Sequence, residues 1–375
     1  MRPFVDYYGA RNISPVAQDI SDLGRHFERR ASLYRSLGIP PLYVRGRDVI
    51  EFGPGSGSNA LYTQHLAPRR YLLVDANARG VHETQALLGS RFPEARNYEV
   101  VQTLIEEFDS TERFDLVLAE GLIPFQIDPA AFTVRIARFA AASAVLVLTC
   151  ADAPSIMGEI GRRLIAYRIA SPALEHDERM RRLAPIFEPH LRTLEGMSRS
   201  SEDWIEDNVL IPFVGRTFAI DEAVAALHAD FDVYGSSPQF TIDLRWYKQL
   251  YGEQRRFNER VANAYLENIM NFLDYRVTLA PHDAGLGASI RDLCRRIYQT
   301  MQQLEASGGL APIGQVVPML RELARLAEPS PRTARAIVEL ASLLDGELPN
   351  DVNSRLQEFA SYFGRGMQYL SFIRR

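Results

Sequence analysis

The sequence predicts a doubly wound α/β fold, enlarged by a helical insertion and a C-terminal helical region. Short apolar, β-branched runs alternate with helical patterns over residues 46–150. A glycine-rich turn follows the first of these runs. The alternation stops over 151–215, returns over 216–249 and gives way to helical periodicity over 250–375. Continuous apolar strands separated by helices are typical of a parallel sheet covered by helices on both faces.

Length and composition are those of an ordinary globular protein. The 375 residues are 46% hydrophobic and 24% charged, which suggests two domains or one domain with large additions. A net charge of −5 without a basic stripe argues against nucleic acid as a partner. No run of about 18 apolar residues exists, so we expect no membrane association. The N-terminus lacks a signal-peptide pattern and the chain has two cysteines, which favours a cytoplasmic setting.

The elements of the core can be assigned in chain order. Residues 1–45 form an N-terminal helical segment that stops at Gly38-Ile39-Pro40-Pro41. Residues 46–150 form the core proper. Its five strands are predicted at 47–52, 71–75, 97–101, 114–119 and 144–149, with helices over 80–92 and 129–142.

The insertion over 151–215 contains helical fragments and no clear strand. Because it follows the fifth strand, it should rise over the carboxyl edge of the sheet, where ligands bind in such folds. We therefore predict a substrate cap. Its segment Asp203–Asn208 places Trp204 among polar groups, which suits a pocket wall, although a helix with Trp204 in the core is the alternative.

The rest of the chain, residues 216–375, is predicted as follows. Residues 216–249 complete the sheet with a helix and a hairpin of two strands, 231–234 and 240–246. Residues 250–375 are helical, with apolar stripes on two helices. Such stripes are core or partner-helix surfaces, and a homodimer through these helices would be one use of them.

The glycine-rich turn carries the strongest chemical signal. Gly53, Gly55 and Gly57 let the backbone turn sharply and approach a ligand without Cβ clashes. A dinucleotide fingerprint needs a third glycine where Ser58 stands, and a phosphate-binding loop needs a lysine that is missing. Glu51, two residues before the first glycine, would repel a pyrophosphate and suits a cationic or amine-bearing ligand.

This turn resembles motif I of the class I S-adenosylmethionine-dependent methyltransferases, whose fold is Rossmann-like. The resemblance implies that Glu51 is the motif's acid and that the three glycines hold the cofactor S-adenosyl-L-methionine. It also implies that Asp75, at the end of the second strand, binds the ribose hydroxyls. Ile105 and Glu106 are the nearest matches to the family's adenine contact, with a solvated turn as the alternative.

The segment Phe114–Gly121 resembles motif IV, whose residues line the site near the transferable methyl. Glu120 is therefore the first candidate for substrate contact or base chemistry, with His26 and Asp207 behind it. His26, with Arg29 and Arg30, could instead bind an anionic substrate or belong to a solvated helix face. The N-P-P-[YF] signature of amino-group DNA methyltransferases is absent, and no residue set has metal-ligand spacing.

These observations predict a methyltransferase acting on a small polar acceptor at oxygen, such as a sugar or related metabolite. The insertion suggests a closed pocket for a small-molecule substrate. One alternative is an RNA or protein methyltransferase that docks through its C-terminal helices. Another is a non-catalytic binding protein that keeps the cofactor fold. An NAD-dependent enzyme is disfavoured by Ser58.

Overall fold

The structure, a computed structural model, describes residues 18–197, 199–308 and 313–375. They form two compact units. The first, called the sheet unit, contains the described residues up to 151 together with 214–265 and 367–375. The second, called the helical unit, contains the described residues of 152–213 and 266–366. The predicted N-terminal segment is thus seen only from residue 18 onward.

The strands are β1 (Asp48–Phe52), β2 (Arg70–Asp75), β3 (Tyr98–Gln102), β4 (Phe114–Ala119), β5 (Ala140–Cys150), β6 (Phe231–Ser237) and β7 (Gln368–Arg374). The α-helices of the first half are α1 (Leu23–Ser36), α2 (Pro41–Val44), α3 (Ala60–His65), α4 (Ala78–Arg91), α5 (Pro129–Ala137), α6 (Met157–Ile169), α7 (His176–Leu191), α8 (Ser201–Ile205) and α9 (Ile220–Leu227). Those of the second half are α10 (Phe257–Glu267), α11 (Ile269–Leu273), α12 (Ala284–Ser307), α13 (Ile313–Leu326) and α14 (Pro331–Asp345).

All seven strands form one sheet, in the order β3-β2-β1-β4-β5-β7-β6. The pairs from β3 through β5 are parallel, while β7 runs antiparallel between β5 and β6. The order 3-2-1-4-5 is that of a doubly wound sheet, in which ligands bind beyond the carboxyl ends of the strands where the order reverses. Here that place lies between β1 and β4. The predicted fold class, a doubly wound Rossmann-like α/β sheet, is confirmed.

The central strands form because their side chains are apolar on both faces. Apart from Glu51, residues 49–52 of β1 are aliphatic or aromatic, and all four are buried. The same continuous burial holds for residues 71–75 of β2 and for most of β4 and β5. Helices pack on this sheet, as expected for a parallel sheet covered on both sides. Among the described residues, no helix has the length and apolar character needed to cross a membrane.

The predicted hairpin over 231–246 is wrong in its second strand. Residues 240–246 form no strand, and the antiparallel neighbour of β6 is β7, with Val233 opposite Phe372. The expectation that 250–375 is helical throughout is also wrong, because β7 lies within this range. Leu370 and Phe372 on β7 are fully buried, whereas Leu244 is 90% exposed. The buried slot in the sheet is thus filled by the more distant segment.

The helical unit joins two regions that the sequence analysis treated separately. Residues 152–213 supply α6 to α8, and 266–366 supply α11 to α14, so insertion and C-terminal helices form one body. The apolar stripe of α12 is buried, since Ile290, Ile297 and Met301 are 0% exposed. The stripe of α14 is also buried at Ile337, Leu340, Leu343 and Leu344. These stripes are therefore mainly core, with Val338 of α14 49% exposed, and a homodimer through the C-terminal helices stays a prediction.

The core of the helical unit also contains paired charges. Arg163 is 1% exposed and donates to Glu305 at 2.8 Å and to the carbonyl of Asn208 at 3.0 Å. Arg162, 0% exposed, donates to the carbonyl of Tyr362 at 2.9 Å and stacks on the ring of Phe363 at 3.7 Å. Buried guanidinium groups are tolerated because each finds several acceptors.

The position of β7 leads to a stability prediction. Phe372→Ala should lower the free energy of unfolding by about 3–5 kcal/mol, because it leaves a cavity beside β5 and β6. Met367 lies just before β7 and is 40% exposed, so Met367→Ala should lower the free energy of unfolding much less. Urea unfolding of both variants measures the difference. Similar small losses for both would show that the last strand contributes little to the sheet.

Candidate functional site

The turn between β1 and α3 has a backbone that requires glycine. Gly53, Gly55 and Gly57 have φ of +69°, +58° and +81°, in the left-handed region that disfavours other residues. The turn also packs tightly on α4. A Cβ on Gly57 would lie 2.8 Å from Oγ1 and 3.0 Å from Cα of Thr84. The three glycines are therefore a structural requirement of this turn, at the carboxyl end of the central strand.

Asp75, at the end of β2, holds this turn in place. Its Oδ2 accepts the N–H of Gly55 at 3.0 Å, and its Oδ1 accepts the N–H of Asn77 at 2.8 Å. The hydroxyl of Thr84 donates to the carbonyl of Gly55 at 2.9 Å. Burial raises the pKa of Asp75, while the backbone amides act in the opposite direction. A carboxylate offers about four acceptor positions, and the predicted ribose contact stays a prediction beside the observed bracing role.

Glu51 is a buried acid of β1, with 4% of its surface exposed. The hydroxyl of Tyr71, on the neighbouring β2, donates to its Oε2. Burial, and next the nearby charge of Glu120, raise the pKa of Glu51 to about 7, although the bond from Tyr71 opposes them. The group therefore titrates near neutral pH, and its carboxylate form would gain from a cation.

Glu120, directly after β4, is bound by Arg30 of α1. The two guanidinium nitrogens donate to the two carboxylate oxygens, each at 2.7 Å, and both side chains are 7% exposed. A second, longer contact comes from Asn59 Nδ2 at 3.5 Å. A bidentate pair of this kind is stronger and more directional than a neutral hydrogen bond. It occupies one lone pair on each oxygen of Glu120, and the part of Glu120 in substrate contact or base chemistry stays a prediction.

His26 lies on the same face of α1, one turn before Arg30. Its Nε2 is 2.9 Å from the carbonyl of Ser58, in the glycine turn. Because a carbonyl only accepts, Nε2 carries the hydrogen and Nδ1 keeps the lone pair. The side chain is buried and burial lowers its pKa, so it is neutral near pH 7. The expectation of a solvated face at His26 and Arg30 is therefore wrong.

The sequence did contain a signal for this arrangement. His26, Arg30 and Tyr34 are spaced four residues apart, and all three are buried. Tyr34 bonds to Thr63 of α3 at 2.9 Å. A polar and aromatic stripe at intervals of four on a helix predicts one face turned toward a polar interior. Arg30 as the partner of Glu120 could not be identified from it.

Two further predictions concern the loop after β3. Ile105 is 5% exposed, and its carbonyl accepts from Arg135 Nε at 3.0 Å, which fixes the loop backbone. Glu106 is exposed. The adenine contact predicted for this pair stays a prediction, and the local geometry favours the backbone at Ile105 over the Glu106 side chain.

Asp207 belongs to the helical unit. Its carboxylate is paired with Arg199, and 13% of its side chain is exposed. Trp204 is 7% exposed, with its ring edge-on to Phe363 at 6.0 Å, as the core alternative predicts. The catalytic role of Asp207 and the role of residues 151–215 as a substrate cap remain predictions. Within the described ranges, no group of three metal-ligating side chains is present.

The glycine turn leads to a matched pair of variants. Gly57→Ala and Gly46→Ala both place a side chain at positive φ, but a Cβ on Gly46 meets nothing within 4 Å. Both should lose about 1–2 kcal/mol of stability to backbone strain, and Gly57→Ala should lose a further 1–3 kcal/mol, roughly, to the contact with Thr84. Chemical denaturation measures both. Equal losses would mean that the turn does not depend on this close approach.

The pKa of Glu51 leads to a prediction on pH. The folded protein binds this proton more tightly than the unfolded chain, whose pKa is near 4.5. The contribution of Glu51 is therefore favourable below about pH 4.5 and is lost as the pH rises to about 7. Glu51→Gln cannot ionise, so between pH 5 and 7.5 it should lose less stability than wild type, by on the order of 2 kcal/mol.

Urea unfolding at both pH values tests this, with the exposed Glu106→Gln as the control variant. Parallel pH profiles for wild type and Glu51→Gln would contradict the raised pKa.

No protein-family model and no curated protein sequence matches this chain. Among solved structures, PKMT2 from Rickettsia typhi in complex with AdoHcy is 15% identical, with a TM-score of 0.44, over 66% of this chain and 50% of that chain. The N-methyltransferase NodS from Bradyrhizobium japonicum WM9, in complex with S-adenosyl-L-homocysteine, is 19% identical, with a TM-score of 0.29, over 36% and 65%. Magnesium protoporphyrin IX methyltransferase (ChlM) from Synechocystis PCC 6803, with bound SAM, is 17% identical, with a TM-score of 0.29, over 34% and 59%. The chain spans about half the length of PKMT2.

Proposed function

We propose that this protein is an S-adenosyl-L-methionine-dependent methyltransferase that acts on a small polar acceptor at oxygen, such as a sugar or related metabolite. One observation carries the proposal. A turn with an acid and three glycines at alternate positions lies at the switch point of a doubly wound sheet, and its glycines have left-handed φ angles. An acid of the next strand holds that turn in place. This is where such folds bind nucleotide-like ligands.

The electrostatics of the turn fit this cofactor. Glu51 and Glu120 are both buried beside it, and the charge of Glu120 raises the pKa of Glu51. Two acids favour a cationic ligand and disfavour a pyrophosphate, which supports S-adenosyl-L-methionine over NAD. The glycine turn would hold it by backbone contacts, with Glu51, Asp75 and the backbone of Ile105 around it. When bound, the cofactor supplies a methyl group on a positively charged sulfonium.

The residues of this chain would mainly position the acceptor and exclude water, which is what a direct methyl displacement requires. Arg30 takes one lone pair on each oxygen of Glu120, and a carboxylate offers about four. Glu120 can therefore still accept a hydrogen bond from an acceptor hydroxyl and orient its oxygen. Arg30 Nε is buried and has no partner among the described residues, which leaves a donor for the same ligand.

Proton removal from a hydroxyl acceptor would fall to Glu120 first. Its carboxylate keeps lone pairs beyond the two that Arg30 occupies. His26 is second, because its Nδ1 lone pair is uncommitted in the neutral tautomer. Asp207, in the helical unit, stays a candidate from the sequence alone, and Arg199 holds its carboxylate.

Cofactor binding is the first test. Calorimetry on the full chain should show S-adenosyl-L-methionine and S-adenosyl-L-homocysteine binding with micromolar affinity, about −7 to −8 kcal/mol. Asp75→Ala should weaken binding by roughly 1.5–3 kcal/mol, because it frees the amide of Gly55 and removes a carboxylate from the site. The exposed Asp109→Ala is the matched control. Binding of NAD with neither of the other two ligands would refute the proposal.

The acceptor requires a separate measurement. Incubation of the protein with labelled cofactor and small-molecule extracts should yield a low-mass product heavier by one methyl group, found by mass spectrometry. Glu120→Gln should reduce turnover while leaving cofactor affinity within a few-fold of wild type. Label found only in RNA or protein would contradict the small acceptor but keep the methyltransferase.

A further inference from the structure

An exposed apolar surface lies between β6 and α10, in the sheet unit. Twelve large apolar side chains are exposed in the described part of the chain, and five of them fall within ten residues of each other. They are Ile242, Leu244, Trp246, Tyr247 and Tyr251, exposed by 77%, 90%, 61%, 71% and 72%. We call these five side chains the aromatic patch. Scattered exposed apolar residues need no explanation, but five of them within ten residues of sequence do.

In the segment that carries the patch, one ion pair is less exposed than the apolar side chains around it. Between Ile242 and Leu244 lies Asp243, which pairs with Arg245 at 2.6 Å. The side chains of these two residues are only 35% and 22% exposed. Arg245 also donates to the carbonyl of Gln254 at 2.7 Å, and its guanidinium lies 5.7 Å from the ring centre of Phe257.

These contacts fix the outward orientation. For Ile242 or Leu244 to turn inward, the segment would have to break the ion pair and the stacking of Arg245. The backbone is open as well, since the N–H groups of Thr241, Ile242 and Leu244 donate to no atom in the part of the chain that the structure describes. The segment thus offers both apolar side chains and free backbone donors.

We propose that the aromatic patch binds the same patch on a second copy of this chain. The area supports a protein interface. The three aromatic side chains alone expose roughly 400 Å², at about 200 Å² for each. With Ile242 and Leu244 the patch exceeds the roughly 300–600 Å² of the largest patch on a typical monomer and approaches the ~800 Å² that each partner buries in a stable complex.

The charge of the patch supports a copy of itself as the occupant. Residues 238–254 contain two acids, Asp243 and Glu253, and two bases, Arg245 and Lys248, so their net charge is zero. A strongly basic or acidic surface would repel its own copy. A surface that binds an anionic polymer would carry an excess of positive charge. A neutral patch meets itself across a two-fold axis without this cost.

The oligomeric state of the full chain tests the proposal. Analytical ultracentrifugation should show a dimer that dissociates on dilution. Leu244→Asp should raise the dissociation constant by at least about 30-fold, the effect of a central interface residue. The control is Leu42→Asp, because Leu42 is 75% exposed on α2 outside the patch. It should leave the dissociation constant within about threefold.

A cross-link tests the symmetry. Cys150 and Cys294 are both buried, so Leu244→Cys introduces an accessible thiol. Mild oxidation should convert this variant, but not Leu42→Cys, into a covalent dimer that reductant separates. A monomer at every concentration up to about 100 μM, or a dimer that Leu244→Asp leaves intact, would overturn the proposal. Both aspartate variants should keep the wild-type cofactor affinity and, below the dimer dissociation constant, the wild-type unfolding midpoint, which separates this test from that of the proposed function.

Discussion

The carboxylate of Asp75 is the interaction on which the candidate site depends. It ties the turn after β1 to the end of β2 by accepting the amide of Gly55 at 3.0 Å. The turn can lie that close only because its glycines have no Cβ and adopt positive φ. Neighbouring parallel strands place their carboxyl ends side by side, so the bond is a direct product of the sheet order. Loss of any one of these conditions would move the turn away from α4.

The second feature of the site is an unbalanced set of buried charges. The site contains three acids, Glu51, Asp75 and Glu120. The positively charged Arg30 pairs with Glu120 at 2.7 Å. An acid without a basic partner in a buried position shifts toward its protonated form, and the raised pKa of Glu51 follows from this. A cationic ligand would relieve the imbalance. The buried acids that are electrostatically unfavourable in the free protein thereby favour binding of the cofactor that we propose.

The helical unit uses its polar residues differently. Arg162 and Arg163 are buried in its core, but each is bound to several acceptors of the same unit. Such groups hold segments distant in sequence in one arrangement, because removing either partner would leave a buried charge unpaired. The segments 152–213 and 266–366 are separated by part of the sheet unit in the chain, and these contacts help to keep them together.

The local features of this protein can be predicted from its amino-acid sequence. The five parallel strands were predicted to within a few residues, because all of them except β3 are largely apolar runs bounded by turns. The glycine turn, Glu51 and Asp75 were identified because their spacing within one strand–turn–strand segment reflects local geometry. The fold class followed from the alternation of these elements.

Tertiary structure decided everything that depends on distant partners. Strand β7 fills the sheet because β5 and β6 leave a slot that Leu370 and Phe372 can fill, whereas residues 240–246 remain outside. Glu120 is bound by Arg30, 90 residues away, and the solvated face expected for His26 is buried against the glycine turn. The apolar stripes of α12 and α14 became core by packing within one unit. Pairing over such separations is chosen by the global fit of buried surface and charge, which no local pattern contains.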